Sequence, residues 1–194
     1  DEYKILQQNA INKKGTLQKF STVILSKHPI EQFRLKSSID WVSKQLDFFS
    51  GNFLCGSINI KGNKINTISV YSPAWIVNPD SINYSEIKGI KLELAKQIWP
   101  TEILYSGLIN EKITVDEHWI IGGDFNSSPT FDTLWPGGPR GCQEIIDRLY
   151  ALNLKESLHE HNKKLVPTFR NPNGAVISPL PDLPTLSFNS KMIR

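Results

Sequence analysis

Two polar residues at the end of one apolar segment have side chains that can do acid–base and metal chemistry. Residues 119–123 are hydrophobic and end in two glycines, and Asp124 and Asn126 follow directly. If the backbone stays extended, residues two apart point to the same face of a sheet, so these two side chains would lie together. A carboxylate can bind a hard cation or take a proton from water, and an amide can orient that water. The pattern predicts either a hydrolytic site or an Asx turn in which both side chains serve the backbone.

The elements that must position these residues are mostly strands. Residues 53–60 and 64–72 alternate in polarity around Lys61-Gly62-Asn63, which predicts a hairpin because these turn residues accept positive φ. Residues 20–26 are rich in β-branched side chains, and residues 118–123 form the short apolar run that is typical of a strand buried on both faces. Residues 166–169 and 183–188 are further strand candidates.

Two segments have helical spacing of apolar residues. Residues 86–99 place Ile87, Ile90, Leu94 and Ile98 on one face, with Pro100 as the expected stop. Residues 143–152 form the second predicted helix. A strand-rich chain with interspersed helices favours an α/β sandwich over a helical bundle or an all-β barrel.

The order of the motifs resembles that of the endonuclease/exonuclease/phosphatase superfamily, the deoxyribonuclease-I-like metal-dependent phosphoesterases. Gly123-Asp124-Phe125-Asn126, followed by Ser-Ser-Pro, is similar to the Gly-Asp-Phe-Asn motif of that superfamily. Four other segments resemble family motifs in the family's order, namely residues 23–30, 70–73, 144–156 and 167–169. No Gly-x-x-x-x-Gly-Lys-Ser/Thr loop is present, which argues against a nucleotide-hydrolase site of the P-loop kind.

The resemblance implies a fold and a set of catalytic roles. The fold would be a four-layered αββα sandwich of the α/β (α+β) class, and the cofactor would be Mg²⁺ or Mn²⁺. Asp124 would bind the metal and align or deprotonate the attacking water. Asn126 would orient that water, and Tyr71 would donate a hydrogen bond to a phosphate oxygen. Asp182 stands where the family has a further catalytic Asp, although prolines flank it here.

Several family features are missing from the chain. The principal Glu metal ligand is not found, and Gln8 is the nearest equivalent if Tyr3 begins a degenerate copy of the first unit. We instead expect Tyr3 onward to be the next strand. Residues 1–194 would then be a single domain that is incomplete at both ends, lacking the first strand–helix–strand unit and the last strand. Ala74 replaces the family's His or Asn, and no Ser-Asp-His motif follows Asp182.

Charge and composition limit the partners. The net charge is +3, and residues 65–133 carry nine acidic and four basic residues between two basic flanks. Such an acidic centre could bind a cation and, through it, a phosphate, but ordinary surface explains it equally well. No apolar run is long enough to span a bilayer, and no leader opens the chain. We expect a cytoplasmic monomer with two reduced cysteines that acts on a phosphate ester, with nucleic acid among the candidates.

These observations lead to one principal hypothesis and two alternatives. The principal hypothesis is a Mg²⁺-dependent hydrolase of phosphate esters, either a phosphodiesterase such as a nuclease or a phosphomonoesterase. The first alternative is a catalytically degenerate or truncated family member that acts as a binding module. The second is a nucleic-acid binder without catalysis, against which the modest charge argues. Because the Glu and Ser-Asp-His motifs are absent, we expect these 194 residues alone to have little activity.

Overall fold

The computed structural model describes residues 2–111, 113, 118–129, 132, 140–157, 169–170 and 176–177, which form a mixed α/β structure. The chain divides into two compact units. The first comprises Asp1–Lys91 and Gln97–Phe125, and the second comprises Leu92–Lys96 and Asn126–Arg194. Among the described residues, no helix is both long and apolar enough to cross a membrane.

The first unit contains a two-stranded and a four-stranded sheet. Strands β1 (Lys4–Ile11) and β2 (Leu17–Ser26) pair antiparallel. The larger sheet has the order β3-β4-β5-β6, with β3–β4 and β4–β5 antiparallel and β5–β6 parallel. Its strands are β3 (Ile30–Phe33), β4 (Phe53–Ile60), β5 (Asn63–Tyr71) and β6 (His118–Asp124).

The strand predictions are confirmed where local chemistry specifies the turn. Between β4 and β5, Lys61 and Gly62 have φ of 52° and 87°, the two positive values that the predicted hairpin turn requires. The Asn59 side chain accepts the Gly62 N–H at 2.9 Å. Tyr3 onward does form a strand, because β1 begins at Lys4 and pairs along its length with β2.

The strand β6 differs from its prediction in burial. It pairs only with β5 among the described strands, and Ile120 is 60% exposed. The expectation of burial on both faces is therefore wrong at this residue. An apolar run alone cannot distinguish a central strand from one at the edge of a sheet.

The two-stranded sheet packs on one face of the larger sheet. A Cβ atom placed on Gly56 of β4 would lie 3.2 Å from Leu6 of β1 and 3.3 Å from Ile24 of β2. Helix α1 (Asp40–Phe48) lies on the opposite face, since the ring of Phe49 at its end is 5.7 Å from that of Phe53 on β4. The first unit thus has three successive layers: the β1–β2 hairpin, the four-stranded sheet and helix α1.

The helix predicted over residues 86–99 is wrong. Helix α2 instead spans Pro100–Asn110, so Pro100 is the first helical residue rather than the stop. Proline fits the first turn because its missing N–H has no intrahelical partner there, and the Glu102 carboxylate accepts the Trp99 N–H at 2.6 Å to complete the cap. Upstream, Gly89 has a φ of 80°, a conformation that interrupts helical structure.

The second unit contains the other predicted helix. Helix α3 spans Cys142–Ala151, which confirms the prediction for residues 143–152 to within one residue at each end. The Asp132 carboxylate accepts the N–H groups of Cys142 and Gln143 at 3.1 Å and 2.9 Å, and so satisfies two donors at the helix start.

Two short strands complete the described part of the second unit. Strand β7 (Phe169–Arg170) pairs antiparallel with β8 (Val176–Ile177). Of the strand predicted over residues 166–169, only the last residue is described. The predicted strand over residues 183–188 and the candidate residue Asp182 lie outside the described residues.

Candidate active site at the ends of two parallel strands

Tyr71 and Asp124 are the last residues of adjacent parallel strands. They are register partners in the β5–β6 ladder, and the Ser72 N–H donates to the Asp124 carbonyl at 2.7 Å just beyond it. Partners in a parallel ladder project from the same face of the sheet, so the phenol and the carboxylate emerge side by side. The structure therefore brings together two of the residues that the sequence singled out.

Gly123 allows β6 to approach β5 closely at this point. Its φ is 134°, and a Cβ atom here would fall far inside van der Waals contact with the carbonyl oxygen of Val70. Only glycine fits such a position. The glycine before Asp124 thus has a structural role: it lets the strand end, and with it the carboxylate, reach its place beside Tyr71.

The β1–β2 hairpin contacts the side chain of Tyr71. The Phe20 ring meets the Tyr71 ring edge-on, with centroids 4.8 Å apart and an interplanar angle of 88°. Burial raises the pKa of Tyr71, a hydrogen bond from the Gln18 side chain lowers it, and the negative charge of Asp124 raises it again. Since the net change is upward, Tyr71 keeps its proton at neutral pH and can donate it in a hydrogen bond.

The backbone of Tyr71 is fixed by a buried asparagine. Asn52 is fully buried, its carbonyl oxygen accepts the Tyr71 N–H at 2.7 Å, and its side-chain amide donates to the Tyr71 carbonyl at 3.3 Å. The side-chain oxygen of Asn52 accepts the Ile11 N–H at 3.1 Å. One side chain therefore links the end of β5 to the end of β1.

Asn126 belongs to the second unit and is described there by itself. It is 2% exposed and has a φ of 48°, in the left-handed region that Asn tolerates better than most residues. The strand ends at Asp124, so the extended backbone assumed from the sequence does not continue through Asn126. The left-handed backbone conformation explains why an asparagine stands at this position.

One residue of the site, Asp124, has a side chain that can bind a divalent cation. Asp124 offers a carboxylate, and phosphoryl-transfer sites hold Mg²⁺ through one or two carboxylates together with water and substrate oxygens. Within the described ranges, no three His, Cys, Asp or Glu residues cluster closely enough to form a metal site. Asp124 could supply one ligand of a Mg²⁺ site, whose other ligands would be water and substrate oxygens.

Gln8 has a structural role in the hairpin. Its amide donates to the Ser50 hydroxyl at 3.0 Å, and its side-chain oxygen accepts from the Gln32 amide at 3.2 Å. It lies within β1 opposite Thr22, away from either strand end. These contacts give Gln8 a structural explanation within the first unit.

Sequence analysis missed Gln18, Phe20 and Asn52, which surround Tyr71. The first two lie in β2, where a register irregularity falls between Asn9 and Ile11 of the paired strand. The polarity pattern contains no signal for that irregularity. Asn52 follows a glycine after α1 and resembles an ordinary turn residue in the sequence.

The chain matches no family model, and no curated protein matches it at a significant level.

Proposed function

We propose that this protein is a Mg²⁺-dependent hydrolase of phosphate esters, of the endonuclease/exonuclease/phosphatase kind. The observation that carries the proposal is the pairing of Tyr71 and Asp124 at the ends of adjacent parallel strands. A neutral phenol beside a carboxylate places a hydrogen-bond donor and a proton acceptor at one sheet edge. Phosphoryl transfer to water can use a proton acceptor for the attacking water and a donor for the charged phosphoryl oxygen.

The layering of the first unit supports the proposed fold. A hairpin packed on one face of a four-stranded sheet, with α1 on its other face, corresponds to three successive layers of an αββα sandwich. We propose the complete four-layered sandwich as the fold of the whole domain.

The chemistry assigned to the chain's own residues is as follows. The oxygen of a water molecule forms a bond to phosphorus while the bond from phosphorus to the ester oxygen breaks. The Asp124 carboxylate takes a proton from the attacking water, and the leaving oxygen takes a proton from solvent. Tyr71 donates its O–H to a non-bridging phosphoryl oxygen, where negative charge accumulates.

Two further components complete the proposal. A divalent cation held in part by Asp124 would supply positive charge against the phosphoryl oxygens. Asn126 would orient the water, and its assignment rests on the Gly-Asp-Phe-Asn resemblance alone.

A hydrolysis screen with the full-length gene product tests the proposal. The substrates are a phosphodiester, a phosphomonoester, single- and double-stranded DNA and RNA, each with Mg²⁺ and with excess chelator. Metal-dependent hydrolysis whose kcat falls about 100-fold in Tyr71→Phe supports the proposal. A fall of this size is expected when one hydrogen-bond donor to the transition state is removed. Absence of hydrolysis across the panel, with binding of one of these ligands, would instead support the binding module.

A further inference from the structure

The β1–β2 hairpin is irregular where it approaches Tyr71. Asn9 pairs with Ser21 and Ile11 pairs with Leu17, so two residue steps along β1 are matched by four along β2. The extra residues of β2 are the ones that include Gln18 and Phe20. Bulges of this kind change the direction of side chains and are frequent beside active sites.

Phe20 contacts Tyr71 without becoming part of a core. Its ring lies edge-on at 4.8 Å from the Tyr71 ring, a favourable aromatic geometry, yet Phe20 remains 44% exposed. Leu17 and Leu25 of the same strand are more exposed still, so the exposure itself does not single Phe20 out. What distinguishes Phe20 is its ring contact with Tyr71.

Gln18 is held in one orientation by the opposite strand. Its Nε2 atom donates to the Ile11 carbonyl at 2.8 Å, and since a carbonyl only accepts, this contact fixes which end of the amide lies there. The Gln18 side chain also lies beside Tyr71, where it lowers the pKa of the phenol, as an amide donor does. An amide that donates to the phenolic oxygen leaves the O–H of Tyr71 available for another acceptor.

We propose that Gln18 and Phe20 are positioning residues that hold the Tyr71 ring and hydroxyl beside Asp124, so that the O–H is directed at a phosphoryl oxygen of the substrate. The catalytic value of this arrangement rests on the proposed function. The positioning itself does not, and it can be measured without any substrate.

The first experiment measures the environment of the Tyr71 ring. The protein contains five tyrosines, so ring-labelled tyrosine gives few NMR signals, and Tyr71→Phe identifies the one from Tyr71. At pH 7, Phe20→Leu should shift that signal because the ring current of Phe20 is lost. Gln18→Leu should shift it because the amide that affects the phenol is lost.

A matched control lies on the same hairpin. Gln7 hydrogen-bonds Ser21 on the exposed face of the hairpin, so Gln7→Leu removes a similar side-chain hydrogen bond without contact to Tyr71. This variant should leave the Tyr71 signal unchanged. A Tyr71 signal that stays at its wild-type position in both Phe20→Leu and Gln18→Leu overturns the proposal.

The second experiment measures hydrolysis of the best ester from the screen. Gln18→Leu and Phe20→Leu should each lower kcat by roughly 10-fold with little change in KM, because a donor that is misplaced matters most in the transition state. Phe20→Tyr, which keeps the ring, should restore most of kcat. Adding Gln18→Leu to Tyr71→Phe should cause no further loss, and fully additive losses would overturn the positioning role.

The two experiments separate the two proposals. Shifts of the Tyr71 signal together with no hydrolysis by the wild-type protein leave the positioning intact and contradict the phosphoesterase. Metal-dependent hydrolysis with an unperturbed Tyr71 signal contradicts the positioning and leaves the phosphoesterase intact.

Discussion

Tyr71 and Asp124 are register partners at the ends of β5 and β6, close enough for the charge of the carboxylate to raise the pKa of the phenol. The pairing depends on three features of the surrounding chain. Gly123 permits the close approach of the strands, Asn52 fixes the backbone of Tyr71, and Phe20 contacts its ring. A proton donor and a proton acceptor are thereby placed at one sheet edge.

Removing the charge of Asp124 should lower the pKa of Tyr71. Burial, the largest cause of the raised pKa, remains in Asp124→Asn. The pKa of Tyr71 should therefore fall but stay above its ordinary value. Titration of the Tyr71 NMR signal measures the change. Asp80, an exposed acid in a short 3₁₀ turn, provides the control, because Asp80→Asn should leave the pKa where it is. Equal pKa values in Asp124→Asn and the wild type would contradict the proximity of the two groups.

Gly123→Ala should destabilise the protein strongly, and Gly122→Ala should not. The new Cβ at position 123 would overlap the Val70 carbonyl oxygen at a positive φ, which we expect to cost about 3 kcal/mol. At position 122 nothing lies within 4 Å of the added atom. Urea unfolding of the two variants gives the comparison. Similar midpoints for both would show that β6 does not approach β5 as described.

Asn52→Ala should cost about 1–3 kcal/mol of unfolding free energy, because it leaves the buried Ile11 N–H without its acceptor. Asn59→Ala removes another amide that accepts a backbone N–H, but in an exposed turn, so its cost should stay near 1 kcal/mol or less. Chemical denaturation measures both. A smaller loss for Asn52→Ala than for Asn59→Ala would refute the linking role of Asn52.

The buried thiol of Cys55 should make the free energy of unfolding fall at alkaline pH. Burial raises the pKa of its thiol from the ordinary 9.0 to about 12, so the folded state keeps a proton that the unfolded chain loses first. The resulting stability is complete below pH 9 and falls as the pH rises from 9 through 12, by at most about 1.4 kcal/mol per pH unit.

Urea unfolding between pH 8 and pH 11 tests this dependence in the wild type and in Cys55→Ala. The slopes are compared rather than the absolute values, because the truncation itself also costs stability. The wild type should lose stability more steeply. Tyr71, whose pKa burial also raises, contributes equally to both proteins, so parallel curves would show that Cys55 is not buried as described.

The sequence predicted those elements whose signals are local. The β4–β5 hairpin was recognisable because Lys61 and Gly62 occupy a turn between two alternating segments, and α3 because its apolar residues repeat with helical spacing. The junction of β6 with Asp124 was recognisable from an apolar run that ends in glycines. Each of these signals lies within about ten residues of chain.

The failures arise where distant residues decide the outcome. In residues 86–99, Ile90 and Ile98 are buried as a helix would require, but Leu94 is 62% exposed and the helix starts later, at Pro100. Apolar spacing alone did not reveal that Glu102 caps that helix. The contacts of Gln18 and Phe20 with Tyr71 join residues about fifty positions apart across two sheets, which no periodicity reports.

The most direct test of the central claim is the rate of metal-dependent phosphate ester hydrolysis by Asp124→Asn, measured with the full-length gene product at saturating Mg²⁺. Circular dichroism confirms folding, and Asp80→Asn serves as the control. We predict a fall in kcat of about 10³-fold for Asp124→Asn, within the range for loss of a catalytic base, and no change for Asp80→Asn. A folded Asp124→Asn protein that hydrolyses the ester at the wild-type rate would contradict the account.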